Sequence, residues 1–305
     1  MLDTIGMFLE NNYLKEGLLT HPKETYNQET GEVVQYGYLK NLRVKANGDK
    51  VSVIGSLPKF YLGSNLQQLT RKDTELAIEK ASDLLQLPLK ESKIFRLDLG
   101  ANLIVNEPLQ NYYSCLGQLS RFQKSFIANK RSLLYTTSTK ALEFYDKTRE
   151  MKRTKQMIPI LYSGKNILRY ELHLTRNITD SFRIPELKAN NLYDESIYIK
   201  GIDFWKDFYF SIQRVNRLIF NKEAIIMINA KTLKNQLAVI GLKIVGEDHI
   251  LEMIEASKKQ IKHRNQISRM KDVVKDLSNE KELTEPNEAI KELDEKVKRV
   301  AKYFR

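Results

Sequence analysis

"YGYLKNLRVKANGDKVSVIGSL", residues 36–57, decides the fold class. Apolar and polar residues alternate on both sides of Asn47-Gly48-Asp49, the two-residue period of a strand. Asn-Gly supplies the φ > 0 pair that a tight type I′ turn requires, so the stretch predicts a β-hairpin. "PKFYLG" (58–63) continues it as a further strand. Residues 70–87 place Leu76, Ala77, Ala81, Leu84 and Leu85 on one helical face, and Pro88 stops that helix. "IFRLDLGANLIV" (94–105) is a strand, "LQNYYSCLGQL" (109–119) a helix, "SLLYTTSTKALEFYDK" (132–147) a second hairpin and "NILRYELHLT" (166–175) a strand after it. Hairpins interspersed with helices predict an α+β fold: a central, mostly antiparallel sheet with flanking helices, followed by a C-terminal helical region.

The expected division is a domain over 1–180 and a helical region over 181–305. Residues 247–277 are expected to form one long amphipathic helix. The last helix carries an apolar seam of Ile290, Leu293, Val297, Val300 and Phe304, with Pro286 in its first turn. The seam is barely two heptads, so packing against other helices is favoured over a coiled coil.

The 305 residues carry a formal charge of +12, which suits a polyanionic partner and says nothing of fold. One cysteine, Cys115, excludes an intramolecular disulfide and a Cys-rich zinc site. No stretch approaches a membrane span or a signal peptide, so a soluble cytoplasmic protein with no membrane partner is expected.

Three strands each bury one apolar face and turn an acid-plus-base face outward. Phe95, Leu97, Leu99 and Ala101 oppose Arg96, Asp98, Gly100 and Asn102. Leu142 and Phe144 oppose Glu143, Tyr145 and Lys147. Leu168, Tyr170, Leu172 and Leu174 oppose Arg169, Glu171 and His173. A polar strand face is commonly just solvated surface, and His173 reads as a polar neighbour rather than a ligand. If the strands are neighbours, Asp98, Glu171, Tyr145 and either Glu143 or Glu150 converge. Carboxylates so grouped can hold Mg²⁺ beside a phosphodiester, and a tyrosine there could attack phosphorus. Its phenol ordinarily titrates near 10, and a metal or Lys147 would ease its ionisation. Between Arg121 and Lys155 lie Lys124, Lys130, Arg131, Lys140, Lys147, Arg149, Lys152 and Arg153, with Phe122, Phe126 and Tyr135 interleaved. Basic residues among aromatics suit single-stranded DNA. No P-loop, dinucleotide fingerprint or Ser/His/Asp arrangement competes with this reading.

"RLD" (96–98), "YDKTRE" (145–150) and "RYE" (169–171), in that order, resemble the rolling-circle replication initiators of filamentous phages, the gene II/X type, and related plasmid initiators. The resemblance covers roughly residues 30–180. It implies a site-specific nicking and joining enzyme. Tyr145 would be the nucleophile that becomes linked to a 5′-phosphate, with Lys147 assisting. Asp98 and Glu171, with Glu150 as the third candidate, would hold Mg²⁺ or Mn²⁺. Arg96, Arg169, Arg121, Lys124, Lys130, Arg131, Arg149, Lys152, Arg153 and Lys155 would contact origin DNA. Host helicase and polymerase, and a second copy, would be its partners, and the helical region over 181–305 would serve origin recognition or oligomerisation. Plasmid relatives often place another Asp where this chain has Asn102, which leaves the metal shell open. The competing reading is a non-catalytic, repressor-like DNA-binding protein on the same fold.

Overall fold

A computed structural model describes residues 1–26, 31–127, 131–215, 217–218, 230–259, 264–279, 284–285 and 287–305. They form two compact units, residues 1–215 with 288–305, and residues 216–287.

The first unit is built on a ten-stranded sheet with every neighbour antiparallel. In chain order its strands are β1 (Leu2–Leu9), β2 (Thr20–Tyr26), β3 (Val33–Leu39), β4 (Leu42–Asn47), β5 (Lys50–Ser56), β6 (Lys93–Val105), β7 (Gln123–Ile127), β8 (Ser132–Thr136), β9 (Lys140–Asp146) and β10 (Asn166–Leu174). Their order across the sheet is β2-β3-β4-β5-β1-β6-β10-β9-β8-β7. The α+β expectation holds, and the three motif strands lie side by side as β6, β10 and β9.

Three local expectations differ. Asn47 pairs with Lys50, so the tight loop is Gly48-Asp49, and Gly48 alone takes φ of 56°. That is the φ pattern of a type II′ turn, with glycine first, and not of I′. "PKFYLG" belongs to a helix, α1 (Leu57–Leu62), rather than a strand. The Ser56 hydroxyl caps the Lys59 N–H, Pro58 sits in the first turn, and Gly63 ends the helix at φ 80°. The third difference is a bulge: Gly6 pairs with Arg96 but Met7 with Ile94. Phe95 is thereby pushed off the core face, and its ring occupies the space a Cβ on Gly6 would need.

The apolar face of β6, β10 and β9 is the core. Phe144 and Tyr170 stack with ring centroids 4.6 Å apart, and Tyr170 meets Trp205 at 4.9 Å. Trp205 and Gly201 belong to α5 (Glu195–Phe210), and Leu99 packs against the helix at Gly201. The helix over 70–87 forms as α2 (Arg71–Leu85), closed by a capping box between Thr70 and Asp73. The helix of 109–119 forms as α3 (Leu109–Cys115). The closing helix, Glu288–Phe304, buries Ile290, Leu293 and Val297. It packs on β6, α3 and α5. Tyr209 donates to Asp294 at 2.6 Å, and Arg214 reaches the same carboxylate at 3.0 Å. Pro286 lies outside the described residues.

In the second unit the single helix expected over 247–277 is two helices, Glu247–Ala256 and Arg264–Asn279. The Ser257 hydroxyl turns back to the Met253 carbonyl where the first ends. Lys271 pairs with Glu255 and Ser278 bonds to Glu247, so the two run antiparallel. The unit also holds a helix over Ala230–Val245 and the short pair Arg217–Leu218 with Thr284–Glu285. No helix among the described residues is long and apolar enough to cross a membrane.

Candidate active site

Strand pairing assembles the polar face from three chain segments. Glu171 of β10 lies directly between Gly100 of β6 and Glu143 of β9, and His173 lies between Asp98 and Ala141. Arg169 lies between Asn102 and Tyr145. Two glutamates directly opposite on neighbouring strands repel, so the register is unfavourable unless positive charge sits between them. Gly100 has no room for a side chain: a Cβ there would lie 2.9 Å from Glu171 Cγ.

Arg169 is the buried brace of the site. Its Nε donates to Glu171 Oε1 at 2.5 Å, and Nη1 donates to the Asn65 carbonyl and Asn102 Oδ1, both at 3.1 Å. Its Nη2 donates to Asp3. Arg169 is therefore corrected as a DNA contact: it is 1 % exposed, and each nitrogen of its fork is engaged within the protein. Burial works against charge on Asp3, yet Arg169 holds that carboxyl below its usual range. For Glu171 burial prevails over Arg169 and pushes the carboxyl up. Replacing Arg169 with Met would strand Asp3 and Glu171 without a counter-charge. We expect that variant to lose about 3–5 kcal/mol of stability. Urea unfolding measures it, and an unchanged midpoint would contradict the brace.

Asp98 is gripped by Arg96 through Nε at 3.1 Å and Nη2 at 2.7 Å. Asp98 Oδ2 also lies 3.2 Å from His173 Nδ1, but that nitrogen makes no directed hydrogen bond and is buried. His173 Nε2 is 3.6 Å from Glu171 and 3.8 Å from Glu143. Burial alone would lower the imidazole pKa; Asp98 and the two glutamates overcome it and raise it to about 10. Glu143, Glu171 and His173 offer ligand atoms all within 4.8 Å of one another. This set fits a hard divalent cation. Two carboxylates and the Nε2 edge of the imidazole converge there, a donor set dominated by carboxylate oxygen.

Tyr145 points its hydroxyl at this group and donates to Glu171 Oε1 at 3.2 Å. Burial pushes its phenol well above the usual range, and the Arg169 charge opposes that only in part. The hydroxyl side of the strand opens on a cleft of about 740 Å³, lined by Tyr145, Glu143, Glu171, Glu150 and the basic residues Arg131, Arg149, Lys152 and Arg153. The last three of these project from α4 (Lys147–Arg153), which starts where β9 ends because the Asp146 carboxylate caps the Arg149 N–H.

The other expected site residues are placed differently. Lys147 is wholly buried, with Nζ donating to Asn65 Oδ1 at 2.7 Å and Glu150 Oε2 at 2.6 Å. Burial lowers its pKa. Glu150 faces Lys147, and Lys59 at 3.9 Å, and is not one of the residues grouped around His173. Asn102 donates to the carbonyls of Asn65 and Leu66, both at 2.9 Å, and so braces the loop after α1. Lys124 donates to the Leu116 carbonyl at 2.6 Å, while Arg121 and Lys155 are exposed outside the cleft lining. Lys130 lies outside the described residues. Tyr135 is a core residue bonded to the Gly117 carbonyl and offers no stacking face, Phe122 is partly buried against Phe208, and Phe126 is exposed. Sequence reasoning passed over Asp3 and Asn65, and it set His173 aside. The signal for His173 was Glu171-Leu172-His173, whose two-residue spacing puts both polar side chains on one face of a strand.

A family model described as the N-terminal part of the phage replication-associated gene II protein matches residues 28–195, more than half of the chain. The chain belongs to that family. All three motifs, from Arg96 to Glu171, fall inside the matched span. The family is the one that the motifs resemble, and membership ties the chain to replication. No curated protein matches it.

Proposed function

We propose that this member of the gene II family initiates DNA replication by nicking and rejoining one strand, with Tyr145 as nucleophile. The single observation that carries the reading is the Tyr145 hydroxyl bonded to Glu171, at the mouth of a basic cleft and beside the Glu143–Glu171–His173 group.

The strand lies along Arg131, Arg149, Lys152 and Arg153, which neutralise its phosphates. The phenol oxygen forms a bond to phosphorus, and the bond from phosphorus to the 3′-oxygen breaks. The phenol proton passes to Glu171, and the departing 3′-oxygen takes a proton from solvent water in the open cleft. The product is a 5′-phosphotyrosine and a free 3′-hydroxyl. Rejoining is the reverse attack by a 3′-hydroxyl, so one phosphodiester-type bond is conserved throughout and no nucleotide triphosphate is needed. Glu143, Glu171 and His173, with Asp98 behind His173, would hold Mg²⁺ or Mn²⁺. A bound cation there supplies charge for the phosphate oxygens and eases ionisation of the phenol. Arg169 keeps Glu171 aimed at Tyr145. Arg96 holds Asp98 in place, and Lys147 acts from beneath the cleft by fixing Glu150.

The test is a labelled single-stranded origin oligonucleotide with Mn²⁺. We expect a protein–DNA band that survives denaturing electrophoresis. Non-covalent retardation alone would instead favour the repressor-like reading.

A further inference from the structure

The segment "QMIPILY", residues 156–162, follows α4 directly and takes no part in the site described above. Its apolar residues divide into two sets. Ile158 and Tyr162 pack inward on Leu66, Met151 and Ile167. Met157, Ile160 and Leu161 face solvent, at 88 %, 95 % and 68 % exposure. Successive turn bonds hold the segment in this posture: Gln156 N–H to Met151 O at 2.9 Å, Tyr162 N–H to Pro159 O at 2.9 Å, and Ser163 N–H to Ile160 O at 3.0 Å. Three large apolar side chains are thus held away from a core that lies within reach of their neighbours.

The surroundings say what covers them. Lys152, Arg153 and Lys155 precede the segment and Lys165 follows it, with no acidic residue between Lys152 and Lys165. A protein partner for an apolar knob has no need of that collar, whereas a polyanion does. Lys152 and Arg153 also line the cleft that holds Tyr145. The seven residues of α4 span about 10 Å, or about three base steps of DNA. Apolar side chains set in a basic surface enter DNA by wedging between base pairs and unstacking them.

We propose that Met157, Ile160 and Leu161 form a wedge that opens paired DNA at a duplex–single-strand junction and feeds the freed strand into the cleft. The inference takes the DNA path from the function proposed above, but not the tyrosine chemistry.

The test uses a forked oligonucleotide with 2-aminopurine in the last base pair. It is run with full-length Tyr145→Phe protein, so that no cleavage intervenes. We expect binding to raise the fluorescence as the pair unstacks. A Met157→Ser, Ile160→Ser, Leu161→Ser version should lose most of that rise, and should open the fork at least about 10-fold less well. Its affinity for a fully single-stranded oligonucleotide should stay within about twofold, since the phosphate contacts remain. Equal unstacking with and without the serines would overturn the wedge. So would unchanged fork opening together with a shift from dimer to monomer on sizing, which would assign the knob to a second copy of the chain. A lost covalent adduct in the unmutated protein, with the fluorescence response intact, would remove the tyrosine mechanism and leave the wedge standing.

Discussion

Tyr145→Phe is expected to abolish the covalent protein–DNA product, a loss of about 10³-fold or more in strand cleavage. The fold should barely register the change. The substitution removes one hydroxyl whose hydrogen bond is the 3.2 Å contact to Glu171. Such a bond is worth about 0.5–1.5 kcal/mol net. The ring stays between Arg169 on β10 and Ser132 on β8. DNA affinity should also persist, because Arg131, Arg149, Lys152 and Arg153 are untouched. The measurement is therefore paired: adduct yield on a denaturing gel, and binding by anisotropy on the same oligonucleotide. Adduct formed by the phenylalanine variant would transfer the nucleophile to another residue.

The second large effect concerns the glutamates. Glu143→Gln and Glu171→Gln each delete one negative charge from a group that faces a like charge across β9 and β10. Mn²⁺ affinity, measured by calorimetry without DNA, should fall by at least about 10-fold for each. Cleavage should fall with it while DNA binding holds. Chelation of the divalent ion should stop cleavage by the unmutated protein, and added Mn²⁺ should restore it. Glu143→Gln is the cleaner of the two, because Glu143 is half-exposed and has no part in the Arg169 network. Glu171→Gln also weakens the brace to Arg169 and should cost some stability. Unchanged Mn²⁺ affinity in both variants would displace the ligand set from His173 to the Glu150 side of the cleft.

These two expectations draw on different parts of the sequence. Tyr145 and Glu171 stand out because alternation assigns each to the polar side of its own strand, and the motifs order them along the chain. Glu150 shows the limit of that logic. It belongs to the same motif as Tyr145, yet the strand ends at Asp146 and a helix begins, so spacing no longer reports a face. Glu150 then pairs with Lys147 and Lys59. Arg169 shows another limit. An arginine on a polar strand face looks like a phosphate contact, and only Asp3 and Asn65, brought in from far along the chain, turn it into a buried brace.

Local chemistry in the sequence determined the motif strands β6, β9 and β10, the apolar side of each but for Phe95, and Tyr145 and Glu171 as residues able to do chemistry. It could do so because alternation, helical spacing, caps and turn residues act within a few positions of one another. The order of strands across the sheet was settled only by tertiary structure. So were the return of the closing helix to β6, and the seating of His173 among three acids. Each depends on residues far apart in the chain meeting in one register, and no short-range pattern encodes that distance.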